Sequence, residues 1–226
     1  VNGPTGHLVG QLFLEPDGSH FVARDGWSLF ASRDEWCAPI SAEVGPDGCV
    51  WILDWYNYIV QHNPTPRGFD NGPGNAYVTP LRDKTHGRIW RVVPDAGGTA
   101  SPSLESLEDR VAALEDGNQL WRLAAQRRLV TEPSPERDAL LLASLRDART
   151  DALGLVPGAL HAAQLLLGPF AGASARARAE ALEALRRHAA GPHAVLRRLA
   201  CELGPRDRGL ADLVLGQGLL HDPDAK

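Results

Sequence analysis

The pattern of apolar and polar positions changes character near residue 95. Before that point, short apolar runs alternate with turn residues, and the turns at 16–18 (Pro-Asp-Gly) and 45–48 (Gly-Pro-Asp-Gly) have the proline, aspartate and glycine that tight turns favour. After it, apolar residues recur with the three- and four-residue spacing of amphipathic helices. The pattern therefore predicts β plus α structure in two domains.

The β region reads as a set of short antiparallel strands. A hairpin is predicted over 7–23, a connection over 24–36, and strands over 38–44, 49–54 and 87–93. The strand at 49–54 is so apolar that burial on both faces is expected. Short strands joined by tight turns are typical of a β-propeller, in which the last three strands would form one blade and the hairpin part of the preceding blade.

Two partial blades do not close a ring, so the remaining blades are expected outside this sequence. The chain begins at Val1 and contains no methionine, which also indicates a piece of a longer protein. The predicted domains are therefore the C-terminal blade or blades of a β-propeller over 1–95, a linker over 96–103, and helical repeats over 104–226.

Helical periodicity dominates the last of these regions. Predicted helices begin near residues 118, 136, 158, 174 and 193, and an incomplete unit follows at 209–220. A helix-pair period of about 40 residues is typical of HEAT-type α-solenoids. Solenoids of this kind commonly present a docking surface for a partner protein.

Charge and cysteine content exclude several classes of protein. The net charge is −5 and neither region is basic, so nucleic acid is not an expected partner. No apolar run approaches the roughly 18 residues of a membrane span. The three cysteines lack the C-x-x-C-H spacing, so this chain carries no c-type haem motif.

Three stretches carry a family resemblance: DWYNYIVQHNPTP at 54–66, NAY at 75–77 and DKTHGRIWR at 83–91. They resemble the membrane-bound dehydrogenase family of planctomycetes and verrucomicrobia. The propeller of that family is similar to glucose/sorbosone dehydrogenases, which use pyrroloquinoline quinone. In the family it is commonly followed by HEAT-like repeats and a c-type haem domain. The resemblance is specific over about residues 3–95 and generic beyond.

The resemblance implies a function for the longer protein. It would oxidise a sugar or polyol hydroxyl with pyrroloquinoline quinone and Ca²⁺, and a haem domain or protein would accept the electrons. A periplasmic, cell-envelope or secreted location is implied as well. The competing hypothesis is a non-catalytic propeller that binds glycan or protein, with the HEAT-like repeats as an interaction scaffold. In either case the isolated chain is expected to be inactive, since its ring does not close.

Two residues are candidates for catalysis. Asp54 ends the apolar strand, where a buried carboxylate needs a partner and would accept from a sugar hydroxyl or bind a cation. His62, in the long loop 61–86, would serve as a general base. The alternatives are a turn cap or ion pair with Arg88 for Asp54, and a hydrogen-bonded structural histidine for His62.

Four residues are candidates for cofactor binding. Arg88 and Arg91 would contact the carboxylates of a quinone, Trp55 would stack on its ring, and Asn57 would add a polar contact. The alternatives are ion pairs between strands for the arginines, packing between blades for the tryptophan and turn formation for the asparagine. No metal ligands are assigned. Convergence of open Arg, Asp and His side chains would favour the enzyme, whereas a channel filled by aromatic rings would favour the binding module.

Overall fold

The chain is a mixed α/β protein that divides into two compact units. One is a β unit, made of Val1–Leu14 and Ala23–Ala100, and the other is a mainly helical unit, made of Glu15–Val22 and Ser101–Lys226. The turn of the first hairpin thus belongs to the helical unit. The computed structural model describes residues 1–18, 20–60, 65–72, 77–169, 172–189, 191–204, 208–222 and 224.

The first sheet has the strand order β1-β2-β3, with β1 at Asn2–Gly3, β2 at Leu8–Asp17 and β3 at His20–Ala31. The hairpin predicted over 7–23 is confirmed. The connection predicted over 24–36 is wrong for most of its length, because β3 continues to Ala31. The segment begins with Arg24 and Asp25, which are typical of a loop. Pairing within the sheet nevertheless provides hydrogen-bond partners for its backbone N–H and C=O groups.

The second sheet is antiparallel with the order β4-β5-β6. The turn between the first two of these strands is closed by a hydrogen bond of 3.0 Å from the Gly48 N–H to the Gly45 carbonyl. Gly48 has a left-handed φ of 72°. The three strands agree with those predicted to within two residues at each end. They are β4 at Pro39–Val44, β5 at Val50–Asp54 and β6 at Arg88–Val92.

Strand β5 is buried on one face only, so the prediction of burial on both faces is wrong. Ile52 and Asp54 are buried, whereas Trp51 is 40% and Leu53 is 47% exposed. Leu53 lies opposite Ile89 of β6, which is 66% exposed. Strand alternation places these apolar side chains on the other face of the sheet, where they stay partly exposed.

Seven α-helices are described in the helical unit. The five predicted helix starts agree to within one residue, and α1 is an addition that begins at a capping box formed by Ser106 and Asp109. The helices are α1 at Leu107–Ala112, α2 at Gln119–Thr131, α3 at Pro135–Asp147, α4 at Pro157–Leu167, α5 at Ala175–Ala189, α6 at Ala194–Leu203 and α7 at Arg208–Gly216. None of the described helices is long and apolar enough to cross a membrane.

A buried ion pair joins three of these helices. Arg137 in α3 is fully buried, and its Nη2 donates to Asp138 Oδ1 at 2.8 Å while its Nη1 donates to the Leu129 carbonyl of α2 at 2.9 Å. The other carboxylate oxygen of Asp138 accepts from the Ser174 N–H, just before α5, at 3.0 Å. The pair therefore fixes the end of α2 and the starts of α3 and α5.

Candidate functional site

The Asp54 carboxylate lies at the last position of β5 and is 3% exposed. Oδ1 accepts from the backbone N–H groups of Ala38 at 2.8 Å and Tyr56 at 2.9 Å. Oδ2 accepts from Arg88 Nε at 2.8 Å and Trp90 Nε1 at 2.9 Å. Burial alone would raise the pKa of Asp54, but these four hydrogen bonds outweigh it and hold the pKa below its usual value.

These four donors occupy the acceptor capacity of the carboxylate. An ionised carboxylate with this hydrogen bonding is a weak base, and a sugar hydroxyl would have to displace a protein donor to reach it. The geometry therefore favours the alternative given above for Asp54, a structural ion pair with Arg88.

Arg88 is matched by two carboxylates. Besides Asp54, its Nη1 donates to Asp34 Oδ2 at 2.5 Å. Burial would lower the pKa of Arg88, but its bonds to Asp34 and Asp54 raise it. The Nη2 atom is buried and has no hydrogen-bond partner among the described residues.

Two aromatic rings lie against this guanidinium. Its central carbon lies 4.4 Å from the Tyr56 ring centroid and 5.1 Å from that of Trp90. Trp36 extends the stack beyond Tyr56 at 5.5 Å between centroids, and Phe30 extends it beyond Trp90 at 5.3 Å. Tyr56 has a left-handed φ of 56°, and its N–H bond to Asp54 secures that turn. We call Trp36, Tyr56, Arg88, Trp90 and Phe30 the aromatic column.

Arg91 belongs to a second, separate cluster. The register places Arg88 opposite Asp54 and Arg91 opposite Trp51, nearer the other end of the strand pair. Arg91 Nε donates to Asp47 Oδ2 at 2.7 Å, and Trp51 Nε1 donates to Asp47 Oδ1 at 3.1 Å. The bond from Trp51 is the main cause that lowers the pKa of Asp47, to about 2. The sheet therefore keeps Arg88 and Arg91 apart.

The other predicted site residues serve the loop or lie outside the description. Trp55 is 41% exposed and donates its backbone N–H to the Ala38 carbonyl at 2.9 Å. Asn57 is 3% exposed, and its side-chain oxygen accepts from the Ile59 N–H at 3.3 Å, which is a turn-forming bond. His62 lies outside the described residues.

The end of the long loop is held by another aspartate. Asp83 Oδ1 accepts from the backbone N–H groups of Thr85 at 2.7 Å and His86 at 2.9 Å. Oδ2 lies 2.5 Å from His86 Nδ1. The bond from the Thr85 N–H is the main cause that lowers the pKa of Asp83. This arrangement is a closed turn rather than an open catalytic pair.

The cofactor implied by the resemblance does not fit the described residues as they are placed. Arg88 already binds two carboxylates and Arg91 one, so the carboxylates of a quinone would compete with protein carboxylates for both. The two arginines also belong to separate clusters. Among the described residues, no group of three His, Cys, Asp or Glu side chains is placed to hold a metal ion.

One cavity of the β unit contains a histidine that the sequence did not single out. His7 Nδ1 lies 2.6 Å from the Cys37 carbonyl, and since a carbonyl only accepts, Nδ1 is the donor, which leaves Nε2 as the acceptor of a neutral ring. His7 also has a left-handed φ of 55°. No sequence spacing could have shown this site, because its walls come from three separate segments. The cavity, of about 250 Å³, is lined by Pro4, Thr5, His7, Glu35, Tyr58 and Val60.

The comparisons with known proteins give one match, to part of the chain. No curated protein and no solved structure matches the chain. The match to a family covers the β region and none of the predicted helices. Residues 1–96 match a family described as a domain of unknown function, DUF7133.

Proposed function

We propose that this chain is a binding and scaffolding module. In this proposal the β unit is a propeller blade region that takes a sugar or glycan, and the helical unit is a HEAT-like solenoid that supports interaction with a protein. The observation that carries the proposal is the hydrogen-bond network of Asp54 and Arg88. Asp54 is the main catalytic candidate from the sequence, and both of its carboxylate oxygens already accept hydrogen bonds from protein donors. The aromatic column fills the space beside it.

The exposed face of the second sheet supports the propeller part of the proposal. Trp51, Leu53 and Ile89 are exposed on one face of β5 and β6. Apolar side chains in such a continuous patch indicate a surface that another element covers. We propose that a further blade of a longer protein packs there, because sheets of a propeller cover one another face to face.

Repeated capping supports the HEAT-like part of the proposal. Ser134 Oγ accepts from the Arg137 N–H at 3.1 Å, and Ser174 Oγ accepts from the Ala177 N–H at 3.2 Å. These two caps are 40 residues apart (174 − 134 = 40). Shortly after each cap an arginine binds the last turn of the preceding helix, Arg137 at Leu129 and Arg178 at the Leu167 carbonyl, 3.0 Å away. The same device thus recurs once per helix pair.

The cavity beside His7 supports a carbohydrate as the ligand. Tyr58 is 42% exposed and offers a flat apolar face with a hydroxyl at its edge. Glu35 and His7 Nε2 are acceptors, and Thr5 is both donor and acceptor. A volume of about 250 Å³ suits a single sugar ring better than a drug-sized ligand, for which about 300–1,000 Å³ is usual.

The test is a titration of the ¹⁵N-labelled chain with glucose and with sorbitol, followed by NMR. We expect saturable shifts at the residues that line the cavity, with a dissociation constant in roughly the millimolar range. Tyr58→Ala is expected to weaken binding about tenfold through loss of the stacking face. Trp27→Ala is the matched control, because Trp27 is 91% exposed and does not line the cavity. No shift with either ligand, or equal binding by Tyr58→Ala and wild type, would refute the proposal.

The second candidate is a sugar or polyol dehydrogenase in a longer protein. Two observations favour it: the sequence resemblance over 54–91, and the acceptor nitrogen of His7 in a cavity that suits a hydroxylated ligand. In this case the quinone and Ca²⁺ would be held by residues other than the described ones, a c-type haem domain would be the electron partner, and the location would be periplasmic or in the cell envelope.

This candidate is tested with the longer protein. Pyrroloquinoline quinone and Ca²⁺ are titrated in, and dye reduction is measured over a panel of sugars and polyols. Quinone-dependent reduction would establish the enzyme and replace the scaffold proposal for the β unit. Quinone-dependent turnover by the 226 residues alone would show that the site is complete within them.

A further inference from the structure

One peptide group connects Asp54 with the cavity beside His7. Its N–H belongs to Ala38 and donates to Asp54 Oδ1 at 2.8 Å, and its C=O belongs to Cys37 and lies 2.6 Å from His7 Nδ1. Both residues of this peptide group are fully buried. The carboxylate, the peptide group and the imidazole ring therefore form one continuous series of hydrogen bonds, which we call the Asp54–His7 relay.

Both donors in the relay point towards the carboxylate. Since a carbonyl only accepts, His7 Nδ1 donates to the Cys37 carbonyl, and the Ala38 N–H donates to Asp54. Burial raises the pKa of Asp54, but its hydrogen bonds outweigh burial and keep that pKa below its usual value, so the carboxylate is charged near neutral pH. A negative charge at the end of the relay polarises the peptide group, which makes the Cys37 carbonyl a stronger acceptor for His7.

The orientation of this peptide group is fixed from the end of β5. Besides the bond from its N–H to Asp54, the Ala38 carbonyl accepts from the Trp55 N–H at 2.9 Å. Ala38 is thus held through both of its backbone groups by the last residue of β5 and the residue after it. The direction of the Cys37 carbonyl towards His7 follows from that attachment.

The backbone of His7 is also held, in a conformation that is uncommon for a residue with a side chain. Its φ is 55°. Its N–H donates to the Pro4 carbonyl at 3.3 Å, and its carbonyl accepts from the Ser32 N–H at 3.0 Å. Backbone conformations of this kind cluster at binding and active sites, where the surrounding structure fixes a side chain before the ligand arrives.

The other ring nitrogen of His7 ends the relay on the side of the cavity. His7 lines this cavity together with Glu35 and Tyr58. Its Nε2 forms no hydrogen bond with any described residue, and in a neutral ring with the proton on Nδ1 it is an acceptor. The hydrogen bond at one ring nitrogen decides which nitrogen carries the proton. A ligand that meets Nε2 therefore has to offer a donor, such as a hydroxyl group.

We propose that Asp54 is a positioning residue for this cavity: through the Cys37–Ala38 peptide group it holds the proton of His7 on Nδ1 and so presents Nε2 as the acceptor for a ligand hydroxyl. Asp54 thus contributes to binding without contact with the ligand. The identity of the ligand rests on the carbohydrate site proposed above. The relay is a property of the ligand-free protein, so the two proposals are tested separately.

The first test is NMR of the ligand-free chain of 226 residues, labelled with ¹³C and ¹⁵N. At about pH 8.5, above the range of about pH 5–8 in which imidazoles titrate, the ring ¹⁵N shifts give the tautomer of each histidine. We expect His7 to carry its proton on Nδ1, with a scalar coupling across the hydrogen bond to the Cys37 carbonyl. Asp54→Asn keeps an oxygen for the Ala38 N–H but removes the charge. In this variant we expect the Nδ1 proton resonance to move upfield and the Nε2–H tautomer to gain population.

Asp83→Asn is the matched control. Asp83 also accepts from backbone N–H groups, but its Oδ2 contacts a different histidine directly, at 2.5 Å from His86 Nδ1. We expect Asp83→Asn to change the ring resonances of His86 and to leave those of His7 unchanged. Asp54→Asn is expected to do the reverse, which a general loosening of the β unit would not do.

The second test is a titration of Asp54→Asn with glucose. We expect binding about threefold weaker than in the wild type, because the bond from the ligand hydroxyl to Nε2 is weakened rather than lost. Ring changes without any glucose binding would contradict the carbohydrate site alone. Glucose binding with the His7 ring unchanged in Asp54→Asn would overturn the positioning role alone.

The wild-type measurements keep the test decisive if Asp54→Asn does not fold. The relay requires the proton of the wild-type His7 ring on Nδ1 and couplings across both hydrogen bonds, from His7 to the Cys37 carbonyl and from the Ala38 N–H to the Asp54 carboxylate. A proton on Nε2, or the absence of either coupling, would overturn the proposal.

Discussion

The two units of this chain are stabilised in different ways. Among the described residues, five apolar side chains are buried in the β unit, whereas twenty-nine form one continuous core in the helical unit. The five are Val9, Cys37, Ala38, Cys49 and Ile52. The helical unit therefore has the apolar burial expected of an independently stable fold, while the β unit relies on polar and aromatic contacts at the ends of its strands.

The ion pairs of the two units also differ in how deeply they are buried. In the β unit, Asp54 and Arg88 form a network with rings and backbone donors, and the Arg88 side chain keeps 28% exposure. In the helical unit, Arg137 and Asp138 form a compact pair with 0% and 7% side-chain exposure. The helical unit therefore buries its ion pair inside an apolar core. The β unit has a partly exposed ion pair that holds the ends of its strands, and one face of its second sheet keeps exposed apolar side chains.

The largest expected effect is at the ion pair in the helical core. Arg137→Ala leaves Asp138 as a buried charge without its partner, and we expect a loss of about 3–5 kcal/mol in the free energy of unfolding. Chemical denaturation followed by far-UV circular dichroism reports the helices. Arg176→Ala is the control, because that side chain is 90% exposed in its ion pair with Glu180, and a change below about 0.5 kcal/mol is expected. Similar losses in the two variants would mean that the core pair has no special role.

The second effect is a pH dependence of the helical unit. The pKa of His161 is about 4 in the folded chain, below its ordinary value of 6.5. The unfolded chain therefore binds more protons between these values, so stability is complete above about pH 6.5 and falls as the pH drops towards about 4, by about 3 kcal/mol. His161 Nδ1 lies 2.9 Å from Gln126 Oε1, and the amide of His161→Gln can still donate to that oxygen, so we expect this variant to lose only this part of the pH dependence. Unfolding at about pH 7 and about pH 4.5 measures it, and an unchanged pH slope in the variant would contradict the assignment.

A smaller loss of stability is expected from substitutions at two glycines of the β unit that have a left-handed φ. Gly48→Ala places a Cβ 2.5 Å from Thr99 Oγ1 at a φ of 72°, and we expect a loss of about 2 kcal/mol. Gly97→Ala has a φ of 84° but no neighbouring atom within 4 Å, so only backbone strain of about 1 kcal/mol is expected. Tryptophan fluorescence reports this unit, because five of the six tryptophans precede residue 95. Equal losses would show that the Thr99 contact relaxes freely.

The sequence predicted most of the elements for clear physical reasons. The helix starts near 136 and 174 were predicted because apolar stripes with helical spacing begin there, and β5 was predicted because a tight turn precedes a run of Val, Trp, Ile and Leu. The part of β3 after residue 23 was predicted as a connection because Arg24 and Asp25 are polar. It forms a strand because it pairs with β2. Local sequence contains no information about such a pairing.

The candidate site was less predictable than the fold. The pairing of Asp54 with Arg88 was among the alternatives, since a buried carboxylate needs a partner. The cap on the Tyr56 N–H, two residues after Asp54, was the other alternative. The further donors from Ala38 and Trp90, and the separation of Arg88 from Arg91, depend on how the strands and their flanking segments pair, which the sequence does not show. The walls of the His7 cavity come from segments that are distant in sequence, so no sequence motif marks it.

The most direct test of the central claim, that Asp54 and Arg88 form a structural network, is a double-mutant cycle. The free energies of unfolding of the wild type, Asp54→Asn, Arg88→Gln and the double variant are compared by tryptophan fluorescence. We predict a coupling energy of about 2 kcal/mol, within the range of about 0.5–3 kcal/mol found for residues of one network. A coupling near zero, with Asp54→Asn as stable as the wild type, would contradict the account and leave Asp54 free for chemistry.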